Sequence, residues 1–238
     1  MDNIKIEIRN LAKVYVQGDT HIHVLDSVDF LIKSGEFISI TGRSGSGKST
    51  LLNIVAGLTL PTSGTVFLDE NDIFRMNDAE LSQYRNARIG YVPQISSVLP
   101  NLTILDNVRL PFHLAKREGD STERAHLLLE LVGLDEMANR MPKRLSGGQV
   151  KRVAIARALM NKPNFLLADE PTGDLDVQTT KEIMSIFKMI VKEGISVLMV
   201  THDLESAESA DRYFTMSCGI LTLKAAQKPI KNTDHKFL

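Results

Sequence analysis

The residues best equipped for chemistry stand together in 41–50, TGRSGSGKST, where Gly42, Gly47, Lys48 and Ser49 satisfy the pattern G-x-x-x-x-G-K-S/T. This combination binds a polyphosphate. Glycines at 42, 45 and 47 allow a tight turn that aims backbone N–H groups at an anion, and Arg43, Ser44, Ser46 and Thr50 complete the loop. A helix that begins where the loop ends adds the partial positive charge of its N-terminus. Lys48 is placed to reach the outer phosphates, and the Ser49 hydroxyl to ligate Mg²⁺. An apolar run (Phe37, Ile38, Ile40) precedes the loop and a helix-like segment, 51–58, follows it, the setting that the pattern requires.

Two more stations carry chemistry. Asp169 and Glu170 follow the apolar run NFLLA, at the carboxyl end of an expected strand, where ligands bind in open α/β sheets. Adjacent carboxylates there divide labour: Asp169 holds Mg²⁺ directly or through water, and Glu170 polarises the attacking water. The second station is LSGGQ, residues 145–149, which opens a helix running through Val150, Val153, Ala154, Ala158 and Leu159. The adjacent glycines Gly147 and Gly148, between Ser146 and Gln149 at that N-terminus, form a second anion site. A single nucleotide does not need two such loops. By average composition this pentapeptide arises by chance in roughly a few in ten thousand chains of this size, which separates it from an ordinary glycine-rich turn.

The elements that position these stations can be read along the chain. Ile4, Ile6 and Ile8 alternate with Lys5, Glu7 and Arg9, the period of a half-buried strand. Tyr15 follows, a polar stretch (Gly18, Asp19, Thr20, His21, His23) reads as a loop, and 24–32 reads as a second strand stopped at Ser34 and Gly35. His21 and His23 have the spacing of a metal pair, but no third ligand stands nearby, so a solvated loop is the expectation. Beyond the phosphate loop, Pro61, Thr62, Ser63 and Gly64 mark a turn, 65–68 a strand, and Asp69, Glu70 and Asp72 a solvated turn. A mixed-charge helix over 78–88 leads into a short strand, 89–92, and then to Pro93 and Gln94.

From 95 to about 160 the strand signal fades. Leu102, Leu105, Val108 and Leu114 recur near helical spacing, and 124–132 is amphipathic, so this stretch reads as a helical insertion entered at Leu99 and Pro100 and left near Pro142. The apolar runs 164–168 and 195–200 then flank a helix over 179–192, a βαβ unit that requires a parallel sheet. Residues 207–211, 212–216 and 220–223 read as a last helix and two short strands, and 224–238, with Lys224, Lys228, Lys231 and Lys236, as a mobile tail.

Composition narrows the classes further. The 238 residues carry 28 basic and 29 acidic side chains, a formal net charge of -1, which gives no electrostatic case for nucleic acid or an anionic membrane surface. The single cysteine, Cys218, excludes an intrachain disulfide and reads as a small buried residue in a reducing compartment. No window offers the run of about 20 apolar residues that a membrane-spanning helix needs, and 1–10 does not have the build of a signal peptide. Work at a membrane would require another chain to cross it.

Taken together, the stations make this chain resemble the nucleotide-binding subunit of an ATP-binding cassette (ABC) transporter, over about residues 4–223. The resemblance implies an α/β fold: a P-loop NTPase core with a mostly parallel sheet and an antiparallel β subdomain, in 1–94 and 161–223, and a helical subdomain inserted after the Q-loop, about 95–160, all within one domain. By resemblance 42–50 is the Walker A loop, Gln94 the Q-loop glutamine that reaches Mg²⁺, 145–149 the family signature and 165–170 the Walker B strand. Asp174, Leu175 and Asp176 resemble the D-loop, and His202 the switch histidine that contacts the γ-phosphate. Tyr15 matches the aromatic that stacks on adenine; the alternative is a tyrosine packed on a strand edge.

The resemblance also accounts for the second anion site. In that family two subunits dimerise head to tail around two ATP molecules, so that Ser146, Gly147 and Gly148 of one contact the γ-phosphate held by the other. ATP and Mg²⁺ are then the cofactors, and the partners are a second copy of the chain and an integral membrane permease at the inner, cytoplasmic face of the cell membrane. The permease is expected near 94–101; the alternative is that Val98, Leu99, Leu102 and Ile104 only pack the insertion.

Within the family the chain is similar to the MacB-like and LolD-like branch, which serves drug and peptide export and lipoprotein release, in SGSGKSTLLN, LPNLTILDNVRLP, LADEPTGDLD and VTHDLESAESADR. It departs from that branch at Tyr91, Val92 and Pro93, where a phenylalanine-containing approach to Gln94 is usual, and at Asp174, often asparagine. Competing readings are an ABC-type ATPase that regulates a non-transport membrane complex such as cell division, or a soluble one of repair or translation. Long insertions and paired cassettes mark the latter, and neither fits one motif set in 238 residues.

Overall fold

In the computed structural model, residues 5–95 and 98–226 are described; Ile4, Lys228, Lys231 and Lys236 lie outside the described residues. β1 (Ile6–Gln17) and β2 (Thr20–Ile32) form a long antiparallel hairpin, followed by β3 (Phe37–Thr41), α1 (Lys48–Val55), β4 (Ser63–Leu68) and the short β5 (Asn71–Asp72). Then come α2 (Asp78–Arg88) and β6 (Ile89–Val92), the helices α3 (Ile104–Leu114), α4 (Thr122–Leu131) and α5 (Gly147–Ala158), and β7 (Phe165–Asp169). The chain continues through α6 (Val177–Lys192), β8 (Ser196–Thr201), α7 (Leu204–Glu208), β9 (Arg212–Ser217) and β10 (Ile220–Ala226). One sheet is antiparallel, in the order β2-β1-β4-β5; the other runs β10-β9-β3-β8-β7-β6, parallel except for β10.

The period-two alternation of side chains explains how the large sheet is held. Phe165 and Leu167 of β7, with Leu198 and Val200 of β8, join α1 and the antiparallel sheet in one apolar cluster. Leu166, Ala168, Val197 and Met199 point the other way, into a cluster with α5 and α6 that also holds Val108, Leu128 and Leu129 of the preceding helices. A strand buried on both faces is apolar along its middle, hence the continuous runs FLLA and VLMV. All helices but one among α1–α7 lie within or beside these clusters through their buried faces, and α2 contributes Tyr84, whose hydroxyl donates to the Val55 carbonyl at 3.2 Å.

Several elements differ from expectation for local reasons. The polar stretch at 18–23 is not a loop: Thr20, His21 and His23 belong to β2, paired with Gln17, Val16 and Val14 across a turn at Gly18 and Asp19. At a hairpin tip both faces meet water, so no apolar alternation announces the strand. The last helix begins earlier than expected because Asp203 caps it, its carboxylate accepting from the backbone of Glu205 and Ser206 at 3.1 and 3.2 Å. Strand β10 runs through Lys224 to Ala226, beyond the expected end at Leu223. Cys218, expected to be buried, is exposed: it occupies the turn between β9 and β10 with φ of 48°.

Candidate active site

The strands β3, β6, β7 and β8 end on one edge of the parallel sheet, and the loops leaving them carry the chemistry. There a cavity of about 620 Å³ is lined by Val24, Ser44, Gly45, Ser46, Gly47, Lys48, Ser49, Thr50, Gln94, Glu170 and His202. Gly42 and Arg43 form the approach to it, and their carbonyls accept from Lys48 Nζ at 2.8 and 3.1 Å. Gly47 stands at φ 106°, a conformation a side chain would strain, and a Cβ there would run into the Val24 carbonyl. Helix α1 starts just after this residue with no side chain capping it and no acid in its first turn, which leaves its first N–H groups for a ligand in the cavity that Lys48, Ser49 and Thr50 line. Ser46 Oγ is buried with no protein partner. A loop of donors, an orphaned hydroxyl and a buried ammonium make a cradle for anionic oxygens.

Carboxylates line up beneath the cradle. Ser49 Oγ donates to Asp169 Oδ1 at 3.0 Å, at the end of β7. Burial pushes the Asp169 carboxyl above its ordinary range, against the pull of that hydrogen bond. The pair fits Mg²⁺: both donors are hard oxygens, and a magnesium ion keeps phosphate oxygens and water for its remaining positions. Gln94 is exposed on the cavity wall, where its side chain is within the same enclosure.

Glu170 takes the left-handed conformation, φ 47°, rare for a residue with a side chain and costing about 1–3 kcal/mol. Its backbone N–H donates to the Val200 carbonyl at 2.9 Å, and its Oε2 receives the backbone N–H of His202 at 3.2 Å and meets His202 Nδ1 at 2.8 Å. Oε1 lies 4.0 Å from Lys48 Nζ. A strained backbone so pinned holds the carboxylate still over the phosphate loop. The imidazole is engaged with Glu170 rather than standing free.

The other sequence-selected residues lie elsewhere. Tyr15 is exposed on the hairpin and does not line the cavity, with Lys13 Nζ 4.8 Å from its ring centroid. Ser146, Gly147, Gly148 and Gln149 are absent from the cavity's lining; they form the start of α5. Ser146 Oγ accepts from Gln149 N at 3.2 Å, while Gln149 Oε1 accepts from Ser146 N at 2.9 Å, a capping box written in the sequence as S-x-x-Q. The Gln149 side chain is thereby committed to the helix end.

Gly148 has a packing reason as well. A Cβ there would overlap Cγ2 of Thr179, whose Oγ1 donates to Asp176 Oδ2 at 2.6 Å at the cap of α6. Gly148→Ala is expected to destabilise the fold by about 1–3 kcal/mol through overpacking. Adding Thr179→Ser, which removes the methyl and keeps the hydroxyl, should recover most of the loss in urea unfolding; no recovery would mean that the crowding lies elsewhere.

Sequence reading passed over two residues that hold this edge together. Lys151 is buried on α5 and donates to the Gln94 carbonyl at 2.6 Å and the Glu170 carbonyl at 3.4 Å. A lysine on the apolar stripe with Gly148, Ala154 and Ile155 was the available signal. Asn107, fully buried, donates from Nδ2 to the carbonyls of Leu99, Leu102 and Thr103 at 3.0, 3.2 and 2.9 Å and accepts from Leu99 N at 2.7 Å, which fixes the segment after Gln94. No periodicity marks such a residue. Tyr91, one of the departures noted above, donates to Asn53 Oδ1 of α1 at 2.8 Å and so ties β6 to the phosphate-loop helix.

Comparison with known proteins identifies the family. The ABC transporter family matches residues 25–173. The lipoprotein-releasing system ATP-binding protein LolD of Shewanella frigidimarina is 41% identical over 228 residues, covering 94% of this chain and 95% of that protein. The macrolide export ATP-binding/permease protein MacB of Rhodopirellula baltica is 42% identical over 227 residues, covering 94% of this chain but 33% of MacB. Among solved structures, the dimeric post-hydrolysis state of the ATP-binding cassette MJ0796 with ADP and Pi superposes with a TM-score of 0.87 at 39% identity, covering 94% of this chain and 100% of that one. No helix among the described residues is long and apolar enough to cross a membrane. The chain belongs to the ABC transporter family and is an ATP-binding, ATP-hydrolysing subunit of the LolD- and MacB-like kind.

Proposed function

We propose that this ATPase works as a head-to-tail homodimer that closes around ATP and Mg²⁺ and drives a separate membrane permease. The observation that carries the dimer is the separation of two anion-ready helix starts: α1 opens into the cavity, while the start of α5 does not. Ser146 Oγ is used as an acceptor within its cap and keeps its proton to donate, as do the first N–H groups of α5. A γ-phosphate presented by a second copy would satisfy them. The solved relative is a dimer, which supports the same reading.

Within each site, Lys48 exchanges the Gly42 and Arg43 carbonyls for phosphate oxygens as ATP enters. Ser49, Asp169 and Gln94 would hold Mg²⁺, which when bound neutralises charge on the β- and γ-phosphates. Glu170 orients the attacking water and accepts its proton, and His202, bonded to Oε2, keeps that carboxylate aimed and is placed to turn to the γ-phosphate. Tyr15 would stack on the adenine. The helices of 95–160 act as the subdomain that carries Ser146, Gly147 and Gly148 to the partner.

Ile95 is 84% exposed and Leu99, which Asn107 holds, 42%, whereas Ile104 is fully buried. Exposed apolar side chains so near Gln94 in the chain suit the docking of a cytoplasmic helix of a permease. LolD and MacB, named for lipoprotein release and macrolide export, favour extraction or export of a lipoprotein, peptide or drug-like cargo. The subunit would then sit on the inner face of the membrane.

Specific ATPase activity of the purified chain is expected to rise with protein concentration over the range where light scattering reports dimers. Activity per molecule that stays constant through that range would contradict the shared site. Addition of the membrane partner in detergent should raise turnover further.

A further inference from the structure

The catalytic reading assigns roles to the start of α5 and to the end of β7 but none to the ammonium buried between them. Lys151 makes no ion pair within 4.0 Å among the described residues; its two hydrogen bonds go to carbonyl oxygens, those of Gln94 and Glu170. A buried charge satisfied by backbone alone is expensive, and burial draws its pKa down while Asp169, Asp174 and Glu170 pull it back up. An uncharged side chain would serve packing as well. What the ammonium gains is reach: from one atom it touches the loop after β6 and the residue after β7, and it rides on the helix whose first turn carries Ser146, Gly147 and Gly148.

We propose that Lys151 is a positioning residue that transmits the engagement of α5 with the partner's nucleotide to the chain's own Gln94 and Glu170. The path is short and rigid. Lys151 stands three residues beyond Gly148, less than one helical turn, so a displacement of the helix start is carried to Nζ with little loss. Gly148 is packed against Thr179 without room for a methyl, which keeps the same turn in register with the segment that holds Asp174 and Asp176. At the receiving end, Glu170 is at φ 47°, where a small shift of its carbonyl turns the peptide and re-aims the carboxylate. Phosphate bound in trans at α5 therefore sets the geometry of the base in cis, and each site senses whether the other is filled.

This inference rests on the head-to-tail dimer proposed above. The test uses the full chain with Lys151→Met, which removes the donors and keeps the length, and Lys151→Arg, which restores donors. Expected for Lys151→Met are an ATP Kd within about twofold of wild type, kcat lower by about tenfold or more, and a Hill coefficient for ATP that falls from above 1 towards 1. Lys151→Arg should recover cooperativity and part of kcat. Unchanged kcat and Hill coefficient in Lys151→Met would overturn the role, and so would a fall in kcat that Lys151→Arg does not reverse while both variants melt like wild type. If Lys151→Met fails to fold, Lys151→Leu, which likewise has no donor, is judged by the same two readouts. ATP-induced dimerisation of Glu170→Gln is measured alongside: its absence strikes the dimer itself, whereas its presence with an unaltered Lys151→Met strikes only the coupling.

Discussion

Glu170→Gln is expected to lower kcat by about 10²- to 10⁴-fold, equivalent to roughly 3–5 kcal/mol of transition-state stabilisation, while ATP binds as before. The amide has the carboxylate's shape, and its oxygen can still accept the His202 backbone N–H, so the left-handed turn at 170 has no reason to relax. What is lost is the capacity to take a proton from water. Because the proposed dimer closes around ATP, a variant that binds ATP without hydrolysing it should accumulate as an ATP-bound dimer, visible by light scattering and lost when ATP is replaced by ADP. Single-turnover hydrolysis at the wild-type rate would remove Glu170 from the role of base. A dimer of the wild-type mass distribution with either nucleotide would instead remove the link between ATP and closure.

Lys48→Ala should act at the earlier step and weaken ATP binding about 10- to 150-fold, the loss of one or more charge-assisted hydrogen bonds at about 1.5–3 kcal/mol. The lysine is buried, and within 4.0 Å of it lies Glu170 Oε1. Its removal therefore does more than take away a phosphate contact: it leaves the carboxylates of Glu170 and Asp169 without their nearest cation, at the place where a highly charged ligand must enter. Direct titration with ATP checks the affinity without reliance on turnover. An unchanged Kd would mean that the loop amides and α1 bind the phosphates alone. The two substitutions separate binding from chemistry, since one should move Kd and the other kcat.

Much of the site was legible because its parts are local in sequence. A phosphate loop is made by one run of glycines and a lysine, and the apolar run of β7 delivers Asp169 and Glu170 a few residues later. Helices with one apolar face, such as α4, and half-buried strands, such as the start of β1, show their period directly. Where the period was missing the elements were misread. The tip of the β1–β2 hairpin meets water on both sides, and Cys218 sits in a turn whose exposure its apolar neighbours concealed.

Other features depend on residues that are remote in the chain. Lys151 and Gln94 are separated by 57 residues, Gly148 and Thr179 meet only because α5 and α6 pack together, and His202 reaches Glu170 across 32. The roles of Gly148 and Lys151 are invisible as composition, since a glycine or a lysine at a helix start has many uses.

By itself the sequence determined what this protein binds and the order of its elements, because phosphate loops, capping boxes and buried strands are encoded by neighbours along the chain. Only the tertiary structure decided which donors share a cavity. It placed Lys48, Ser49, Gln94, Glu170 and His202 around one space and left Ser146, Gly147 and Gly148 outside it. The reason is physical: distances between residues far apart in sequence are fixed by the packing of β3, β7 and β8 between their two apolar clusters, and no local pattern carries that information.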